Sequence, residues 1–560
     1  MSLKFKLIGK CYQDATNIDA DDADFLIEED EWNDYSFHVL YHLHATDRLT
    51  NNGNVHLGYI KIMKVGQNMH EIFLLRNVLG NELIFDALPE GFVSLTTSVE
   101  LYQSLFRLLK AEQRHEFAER MRMILSTDSP YYINVKDSEC FKVAMLRFTS
   151  MDNYGLVKGR ELMMNEENYY NLQKQQLTVR YNDTENDIEL KFSCLNGVAS
   201  ENIPNGMVAF IGKNGSGKST AIYKLAKLLY ASPDQRYRLK DAAGTIKPID
   251  IGINKLFVIS YSPFDNFVLP GIGGDDYRLM LQGMEENFGR FVFCGLRDIK
   301  KEFTSILEKN DKKHYDTLFE KERMEVTSPK PVRQLAEEFK KAIADVERNE
   351  KRKGLWRDIE KQSHVLFPEI GQIMNDAMGV GALESENYFL ALSTGCKFFL
   401  HSLAHVLAYI ENDSMILFDE PENHIHPPML SFMMSSLRSI LNKYHSVMLV
   451  ATHSPVIAQE IFARNVYVVR DNGGCKSIVH PSVETYGANL SEITSEVFGL
   501  TTDVTNYYDA YKDLYEQWKQ ENWHSVEDMM HSFERHLNGH VSPQMMAYLI
   551  NLYYVDTPEA

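Results

Sequence analysis

One eight-residue segment constrains the fold of this chain more than any other feature. It fits the pattern G-x-x-x-x-G-K-[ST] at every fixed position and consists of Gly212, Lys213, Asn214, Gly215, Ser216, Gly217, Lys218 and Ser219. The apolar run MVAFIG (207–212) leads into it, and the helix-like run STAIYKLAKLLY (219–230) follows. A strand, a glycine-rich turn and a helix in this order present backbone N–H groups and a helix dipole to a phosphate group. The segment therefore predicts a phosphate-binding loop in an α/β fold.

The residue types in this loop indicate ATP together with Mg²⁺. The ammonium group of Lys218 is expected to reach the β- and γ-phosphates, and the hydroxyl of Ser219 is expected to bind the metal ion. The next residue, Thr220, completes the set of loop residues that we expect to contact the nucleotide.

Two acidic residues follow a second apolar strand. The run MILFDE (415–420) delivers Asp419 to the carboxyl edge of a sheet, where its carboxylate can hold Mg²⁺ directly or through water. Glu420 is then placed to orient and deprotonate the attacking water. A third apolar strand ends in ATHSP (451–455), and His453 there is expected to contact the γ-phosphate and to sense whether it is present.

Composition and charge exclude several classes of protein. Hydrophobic residues make up 44% of the chain and charged residues 24%, as in ordinary globular proteins, and no apolar run is long enough to cross a bilayer. We therefore expect a cytoplasmic protein without a membrane partner. Six cysteines are scattered with no close pair, which argues against the usual zinc motifs and a disulfide framework. The net charge of −20 does not favour nucleic-acid binding by the chain as a whole.

The pattern of elements predicts five regions. They are an N-terminal α+β region of unknown role (1–135), an ATPase lobe with the phosphate-binding loop (136–270), a mostly helical insertion (271–390), a second ATPase lobe (391–500) and a helical tail (501–560). Between residues 297 and 361 there are 18 Lys/Arg against 15 Asp/Glu, a net of +3, so this stretch is the only locally basic one. A solvated helical face with intrahelical ion pairs explains such a pattern as well as an anionic partner does.

The order of these motifs resembles the ABC-type ATPases of the SMC/OLD kind. The run ALSTGCKFFL (391–400) is similar to the signature of that superfamily, and it precedes FDEPENHIHP and ATHSP in the same order. The resemblance implies an α/β P-loop NTPase of ABC/SMC-head type, with a mostly parallel sheet flanked by helices, a helical insertion and a helical C-terminal tail. It also implies a homodimer of heads, in which Ser393 and Gly395 bind the γ-phosphate of ATP held by the other subunit.

The same text, together with YSPFDNF (261–267) and FCGLRD (293–298), looks like the ATPases of bacterial anti-phage defence, and in particular the PtuA type of Septu and retron systems. That resemblance implies a regulatory ATPase whose partner is a small HNH-type nuclease similar to PtuB. In the retron versions it also implies a reverse transcriptase and its RNA–DNA product.

Three departures from the superfamily pattern stand out. The strand VISYS (258–262) is not followed by the expected Gln that contacts Mg²⁺, and Ser262 or Asp265 are the candidate substitutes. Cys396 occupies a position where SMC-like signatures carry Glu or Gln. The adenine-stacking aromatic residue is not evident, and Tyr181 is a guess that competes with a place in the core.

Two alternative functions remain open at this stage. One is an SMC- or recombination-type ATPase that binds DNA itself, which would hydrolyse ATP in a DNA-stimulated and strongly salt-dependent way. The other is a toxin with ribonuclease activity in the tail, because Arg535 and His540 fit the R-x4-H string of HEPN ribonucleases. Against the second stand the short tail and the dipeptide Asn538-Gly539, which is typical of a helix C-cap. A metal site made of His531, His536 and His540 lacks a further strong ligand.

Overall fold

The computed structural model describes residues 3–556 except for 10–17, 31–34, 51–53, 98, 147–150, 152–153, 165–171, 185, 194–202, 232–235, 237–238, 249–250, 252, 263–279, 282–283, 285–289, 310–327, 380, 424, 472–475 and 499–506. The chain divides into two compact units, Met1–Gly487 and Ala488–Ala560. Among the described residues, no helix combines the length and the apolar character that crossing a membrane requires.

The first unit begins with a mixed sheet. Its strands, numbered in chain order, are β1 (Phe5–Ile8), β2 (Phe25–Glu29), β3 (Leu40–Ala45), β4 (Val55–Lys64), β5 (Ile84–Phe85) and β6 (Phe92–Leu95). Their spatial order is β5-β1-β2-β3-β4-β6, and among the described strands of this sheet only β1 and β2 pair in parallel. One face of this sheet packs on the helices Val99–Leu108 and Ala111–Arg120 through residues such as Phe25, Leu101 and Phe117.

A small antiparallel sheet precedes and accompanies the phosphate-binding loop. It consists of β7 (Gln176–Arg180), β8 (Ile188–Lys191) and β10 (Thr245–Lys247), in the order β10-β7-β8. Leu177, Val179 and Leu190 are fully buried and belong to the same apolar core as the central sheet. This sheet therefore covers one side of the ATPase core.

The central sheet of the first unit carries the sequence motifs. Its strands are β9 (Met207–Ile211), β11 (Leu256–Ser260), β12 (Phe291–Gly295), β13 (Met415–Asp419), β14 (Val447–Thr452), β15 (Val466–Asp471) and β16 (Lys476–Val479). They lie in the order β12-β11-β13-β14-β9-β15-β16, and every neighbouring pair is parallel except β15 and β16. Because helices cover both faces of a parallel sheet, its strands are apolar throughout, and β9, β13 and β14 are buried along their whole length.

Helices connect and cover these sheets. Those of the first unit are Asp47–Thr50, Leu74–Leu79, Val99–Leu108, Ala111–Arg120, Pro130–Ile133, Cys140–Met145, Tyr154–Met164, Leu172–Lys174, Lys218–Tyr230, Lys240–Ala243, Ile299–Lys309, Val332–Glu347, Glu350–Leu366, Pro368–Gly379, Gly381–Ala391, Thr394–Tyr409, Pro427–Lys443, Pro455–Gln459 and Ala463–Asn465. The described residues between 271 and 390 are mostly helical, but they also contribute β12 to the central sheet.

The second unit is helical. Its elements are Leu490–Glu492, Ile493–Val497, Tyr507–Trp518, Lys519–Glu521, Val526–Leu537 and Pro543–Asp556. Tyr515, Phe533 and Leu549 form the centre of a separate apolar cluster. The predicted fold class is therefore confirmed: a P-loop α/β domain with a mostly parallel sheet between helices, a largely helical insertion and a helical tail.

The helix that follows the phosphate-binding loop is fixed by apolar packing. Ile222, Leu225 and Leu229 are fully buried against the central sheet. Complete burial of each such side chain contributes about 1.5–3 kcal/mol. This packing holds the N-terminus of the helix, and the loop before it, at the carboxyl edge of β9.

Candidate functional site

The strand order brings three of the predicted motifs to one edge of the central sheet. β14 lies between β9 and β13, with Thr452 opposite Ile211 and Asp419 opposite Ala451. The carboxyl ends of parallel strands share one edge, so the loop after β9, the acidic pair after β13 and the histidine after β14 meet there. Residues 200 positions apart in the sequence, Ser219 and Asp419, thus meet in one site.

The phosphate-binding loop adopts a conformation that requires glycine at its two ends. Gly212 has φ 157°, and a Cβ there would lie 2.5 Å from the carbonyl oxygen of Val469. Gly217 has φ 94°, and a Cβ there would lie 2.6 Å from Nζ of Lys476. Any other residue at either position would displace its neighbour or strain the backbone. The tip of the loop (213–215) is exposed and open to a ligand.

Lys218 folds back over this loop. Its side chain is buried, and Nζ donates hydrogen bonds to the carbonyl oxygens of Gly212 at 2.9 Å and Lys213 at 3.1 Å. Burial lowers the pKa of Lys218, although the nearby carboxylates of Glu420 and Asp419 oppose this effect. The ammonium group is therefore held inside the curve of the loop, where a phosphate bound by the loop would lie.

The loop also contains the buried hydroxyl of Ser216, which has no hydrogen-bond partner among the described residues. Its Oγ is inaccessible to solvent. An unsatisfied buried hydroxyl costs about 1–3 kcal/mol, so such groups usually mark a missing ligand or water. A phosphate oxygen in the loop would supply the acceptor.

The residues predicted to hold Mg²⁺ are in contact. Oγ of Ser219 donates a hydrogen bond to Oδ1 of Asp419 at 3.0 Å. A hydroxyl and a carboxylate, both oxygen donors, are the ligands that Mg²⁺ prefers beside phosphate groups. The donor set therefore fits the ion, and the exposed Thr220 follows directly on the helix.

Glu420 has an unusual backbone conformation. Its φ is 46°, in the left-handed region that residues other than glycine seldom adopt, and its N–H donates to the carbonyl oxygen of Ala451 at 2.9 Å. The side chain is partly exposed, and Nδ2 of Asn423 donates to its Oε2 at 3.0 Å. The carboxylate is therefore accessible to water, as the role predicted for Glu420 requires.

His453 is held by an acidic residue that sequence reasoning missed. Oε1 of Glu422 lies 3.0 Å from Nδ1 of His453 and accepts hydrogen bonds from the backbone N–H of His453 and the hydroxyl of Thr452. The hydrogen bond to Glu422 raises the pKa of His453. Burial tends to raise the pKa of Glu422, but the bonds from His453 and Thr452 outweigh it and lower this pKa. With Nδ1 engaged, Nε2 is the nitrogen available to a ligand.

Glu422 and a lysine near the loop carried only weak sequence signals. The first is the third acid in DEPE, and its position two residues beyond Glu420 did not indicate contact with a residue on another strand. The second, Lys476, begins β16, and its Nζ lies 2.6 Å from Oδ2 of Asp183 and beside Gly217. Only the fold brings these two residues to the site.

The predicted signature residues lie at the start of another helix. Ser393 is the N-cap of the helix Thr394–Tyr409, and its Oγ accepts a hydrogen bond from the Cys396 backbone at 3.4 Å. Ser393 is exposed and Gly395 is partly exposed. Among the described residues, no hydrogen bond joins Ser393 or Gly395 to the phosphate-binding loop or to Asp419, Glu420 or His453.

The sequence also suggested Tyr181 as the adenine-stacking residue and Ser262 or Asp265 as substitutes for the missing Gln. Tyr181 is buried in the core, with 2% of its surface exposed and its hydroxyl bonded to the carbonyl oxygen of Ala221, so its ring is not available for stacking on adenine. Ser262 follows the buried Tyr261 after β11, whereas Asp265 lies outside the described residues.

In the tail, a helix end separates the two residues of the R-x4-H string. The helix Val526–Leu537 ends before Asn538, which has φ 51°, so Arg535 is on the helix and the fully exposed His540 is beyond it. His536 stacks on Trp518 and lies 2.5 Å from Glu521. These contacts give the tail histidines an ordinary structural environment.

Three comparisons relate this chain to known proteins. Residues 207–458 match the family model described as "AAA domain, putative AbiEii toxin, Type IV TA system". The chain is 24% identical to Protein ea59 of Escherichia phage lambda over 504 residues, which is 86% of this chain and 87% of that protein. A solved structure of an Smc head bound to the C-winged-helix domain of ScpA is 14% identical, covers 54% of this chain and 96% of its own, and gives a TM-score of 0.22.

The family match and the sheet topology together define the class of protein. This chain contains an AAA-type P-loop ATPase domain, and that fold implies nucleotide binding. The finer resemblance to PtuA-type ATPases of Septu and retron systems goes beyond these comparisons.

Proposed function

We propose that this chain is an ATP-hydrolysing regulatory subunit of an anti-phage defence complex, in which the nucleotide state controls a partner nuclease. The observation that carries the first part of this proposal is the meeting of Lys218, Ser219, Asp419, Glu420 and His453 at one edge of the central sheet. The second part rests on the resemblance of the motif text to PtuA-type ATPases.

Each residue has a defined task in hydrolysis. The loop N–H groups and Lys218 hold the phosphates and oppose the negative charge that develops on them. Ser219 and Asp419 would hold Mg²⁺, which would neutralise part of the negative charge of the phosphates. Glu420 orients a water molecule and accepts its proton. His453, oriented through Nδ1 by Glu422, offers Nε2 to the γ-phosphate.

Pairing of two copies would complete the site. Ser393 and Gly395 lie at an exposed helix N-terminus, where a backbone N–H and a hydroxyl can bind an anion. We infer that ATP held by one subunit is contacted by these residues of a second copy, so that the homodimer forms only with ATP bound. This arrangement makes the association of subunits a readout of nucleotide state.

The proposed partner is an HNH-type nuclease similar to PtuB, with a reverse transcriptase and its RNA–DNA product in a retron context. The candidate docking faces are the locally basic stretch 297–361, of which 310–327 lie outside the described residues, and the tail, where Tyr507, Tyr554 and Val555 are exposed. We assign the nuclease chemistry to this proposed partner.

The test is a pull-down of the Glu420→Gln protein from its native host with ATP and Mg²⁺, followed by identification of bound protein and nucleic acid. The matched control is the Glu420→Gln, Ser393→Arg double variant, which should bind ATP but not pair. Recovery of a small HNH-type protein with the first variant supports the proposal. Recovery of the chain alone on DNA supports the SMC-like alternative, and recovery of the chain alone without nucleic acid contradicts the proposed partner.

A further inference from the structure

A second cluster of reactive side chains lies in the interior of the first unit. Cys294 on β12 and His401 and His405 on the helix Thr394–Tyr409 are buried, and one potential ligand atom from each lies within 4.8 Å of the others. The two histidines are four positions apart, which places them on one face of the helix. None of the three belongs to the nucleotide site described above.

Each histidine has one ring nitrogen engaged by an oxygen acceptor. Nε2 of His401 lies 3.3 Å from Oε2 of Glu338, and Nδ1 of His405 lies 2.9 Å from the carbonyl oxygen of His401. Nζ of Lys330 donates a hydrogen bond to the same Oε2 of Glu338 at 2.8 Å. Metal-bound histidines have this feature, because an outer carboxylate or carbonyl sets the tautomer and leaves the second nitrogen for the metal.

The remaining donor atoms have suitable spacing. Nδ1 of His401 lies 3.4 Å from Sγ of Cys294. Zinc bonds of about 2.0–2.3 Å in a tetrahedral arrangement separate two ligand atoms by roughly 3.3–3.7 Å. This pair already fits, and Nε2 of His405 completes a set of one sulfur and two nitrogen donors. Closing the set requires a movement of about 1 Å, which is within the range of a side-chain adjustment.

A hydrogen-bonded core is the competing explanation. The Tyr261 hydroxyl lies 2.7 Å from Nδ1 of His401 and 3.2 Å from Sγ of Cys294, and it accepts a hydrogen bond from Ser402. This network satisfies His401 without an ion. Among the described residues, this network does not include Nε2 of His405, and His405 lines a cavity of about 140 Å³ together with Glu338 and Tyr409. A cavity of this size has room for a water ligand.

We propose that Cys294, His401 and His405 bind a zinc ion, with a water molecule from the adjoining cavity as the fourth ligand. One thiolate and two imidazoles are donors that Zn²⁺ favours, whereas Mg²⁺ and Ca²⁺ favour oxygen. The Tyr261 hydroxyl moves off Nδ1 of His401 and forms a hydrogen bond with the metal-bound water. The spacing of the cysteines in the sequence does not indicate this site, because Cys294 on the strand and His401 on the helix are 107 positions apart.

The zinc ion would connect the signature helix to the central sheet. His401 lies two turns after Ser393 on the same helix, and Cys294 is on β12, which pairs with β11. An ion bound to both elements fixes the direction of the helix N-terminus that carries Ser393. The metal site is independent of the proposed partner and of ATP hydrolysis, so it can be tested separately.

The first test is the metal content of the untagged full-length protein together with its cobalt spectrum. We expect one zinc ion per chain, and replacement by Co²⁺ should give a sulfur-to-cobalt charge-transfer band and the intense visible bands of a tetrahedral site. X-ray absorption at the zinc edge should show one sulfur and three nitrogen or oxygen neighbours. A folded wild-type protein without zinc that gives no charge-transfer band on addition of Co²⁺ overturns the proposal, as does a first shell without sulfur.

Variants locate the site. Cys294→Ser and His405→Ala should each lose the bound zinc, and Cys294→Ser should also lose the charge-transfer band. Cys396→Ser is the matched control, because Cys396 lies on the helix that carries His401 and His405 but is not one of the three proposed ligands. This variant should keep both the bound zinc and the charge-transfer band. Zinc retained by folded Cys294→Ser and lost from Cys396→Ser contradicts the assignment. If a variant does not fold, the wild-type absorption spectrum still decides the result.

Discussion

Two regions of the first unit place charged groups among buried strands, but they do so differently. One is the nucleotide edge, the carboxyl edge of the central sheet where Lys218, Asp419 and His453 meet, and the other is the N-terminal sheet of β1 to β6. At the nucleotide edge, Asp419 is the last residue of its strand and Glu420 follows it. In the N-terminal sheet, His44 lies within β3 and contacts Glu28 within β2, with Nε2 and Oε2 3.0 Å apart. A residue after a strand can turn toward a ligand, whereas a residue inside a strand is fixed by its cross-strand neighbours.

This difference separates function from stability. The strand-end groups include a buried hydroxyl without a partner among the described residues, that of Ser216, and an acid with a left-handed backbone, Glu420. Both features cost free energy in the folded chain, and a phosphate group in the loop would supply the acceptor that Oγ of Ser216 lacks among the described residues. The contact between His44 and Glu28 satisfies two buried polar groups with each other. Changes at the nucleotide edge should therefore alter activity, and changes in the N-terminal sheet should alter stability.

The largest expected effect is that of Glu420→Gln. Removal of a general base slows catalysis by about 10²- to 10⁴-fold, whereas the amide keeps the size and the hydrogen bond with Asn423. ATP binding should persist, so kcat falls while the dissociation constant for ATP stays within a few-fold. Steady-state hydrolysis and equilibrium binding measured on the same preparation check this. Normal hydrolysis by Glu420→Gln would show that another group is the base.

A smaller effect is expected from Glu422→Gln. The variant loses the charge of the acceptor for Nδ1 of His453, and kcat should fall about tenfold, since a hydrogen bond to a charged group contributes about 1.5–3 kcal/mol. The pKa of His453 should move down toward its ordinary value, because the bond to Glu422 is what raises it. Histidine-selective NMR titration, with His453→Gln to assign the resonance, measures this. An unchanged His453 titration would mean that Glu422 does not orient the ring.

The sign of the pH dependence follows from both shifts. Since the folded-state pKa of His453 is raised, its contribution to stability is present at low pH and is lost as the pH rises through that pKa. Since the pKa of Glu422 is lowered, its contribution is present above the ordinary pKa and is lost as the pH falls through the lowered one. The ion pair is complete only between these two values. Thermal unfolding of wild type and Glu422→Gln should therefore differ most in that window.

The smallest effect on activity is expected in the N-terminal sheet. His44→Ala removes the hydrogen bond between Nε2 of His44 and Oε2 of the buried Glu28 and should lower the free energy of unfolding by about 1–3 kcal/mol. ATP turnover per folded molecule should not change. Denaturant unfolding measures the change in the free energy of unfolding, and steady-state hydrolysis measures ATP turnover. His115→Ala is the control, because His115 is exposed. A loss of turnover without a loss of stability would connect this sheet to the nucleotide site.

The sequence allowed the nucleotide edge to be predicted because its chemistry is local. Gly212 to Ser219, and Asp419 with Glu420, each lie beside an apolar strand, so the strand pattern and the polar residues identify one another. The parallel sheet then follows from strands that alternate with helices. The roles assigned to these residues stay predictions until they are measured.

Other parts of the molecule could not be predicted because they depend on long-range pairing. The contact of Glu422 with His453 joins two different strand ends, and the cluster of Cys294, His401 and His405 joins a strand to a distant helix. β12 lies in the range 271–390, whose sequence pattern predicts mostly helix. Only the pairing of β12 with β11 shows that it belongs to the central sheet. Such contacts leave no periodic signal in the chain.

Equilibrium dialysis of the untagged protein with labelled ATP, with and without Mg²⁺, tests the central claim most directly. We predict one ATP per chain, binding that is tighter with Mg²⁺, and affinity reduced by about 10- to 100-fold in Lys218→Ala, because a charge-assisted hydrogen bond contributes about 1.5–3 kcal/mol. The exposed Lys361→Ala should bind ATP as wild type does. Absence of binding by the folded wild type, or equal binding by Lys218→Ala, would contradict the account.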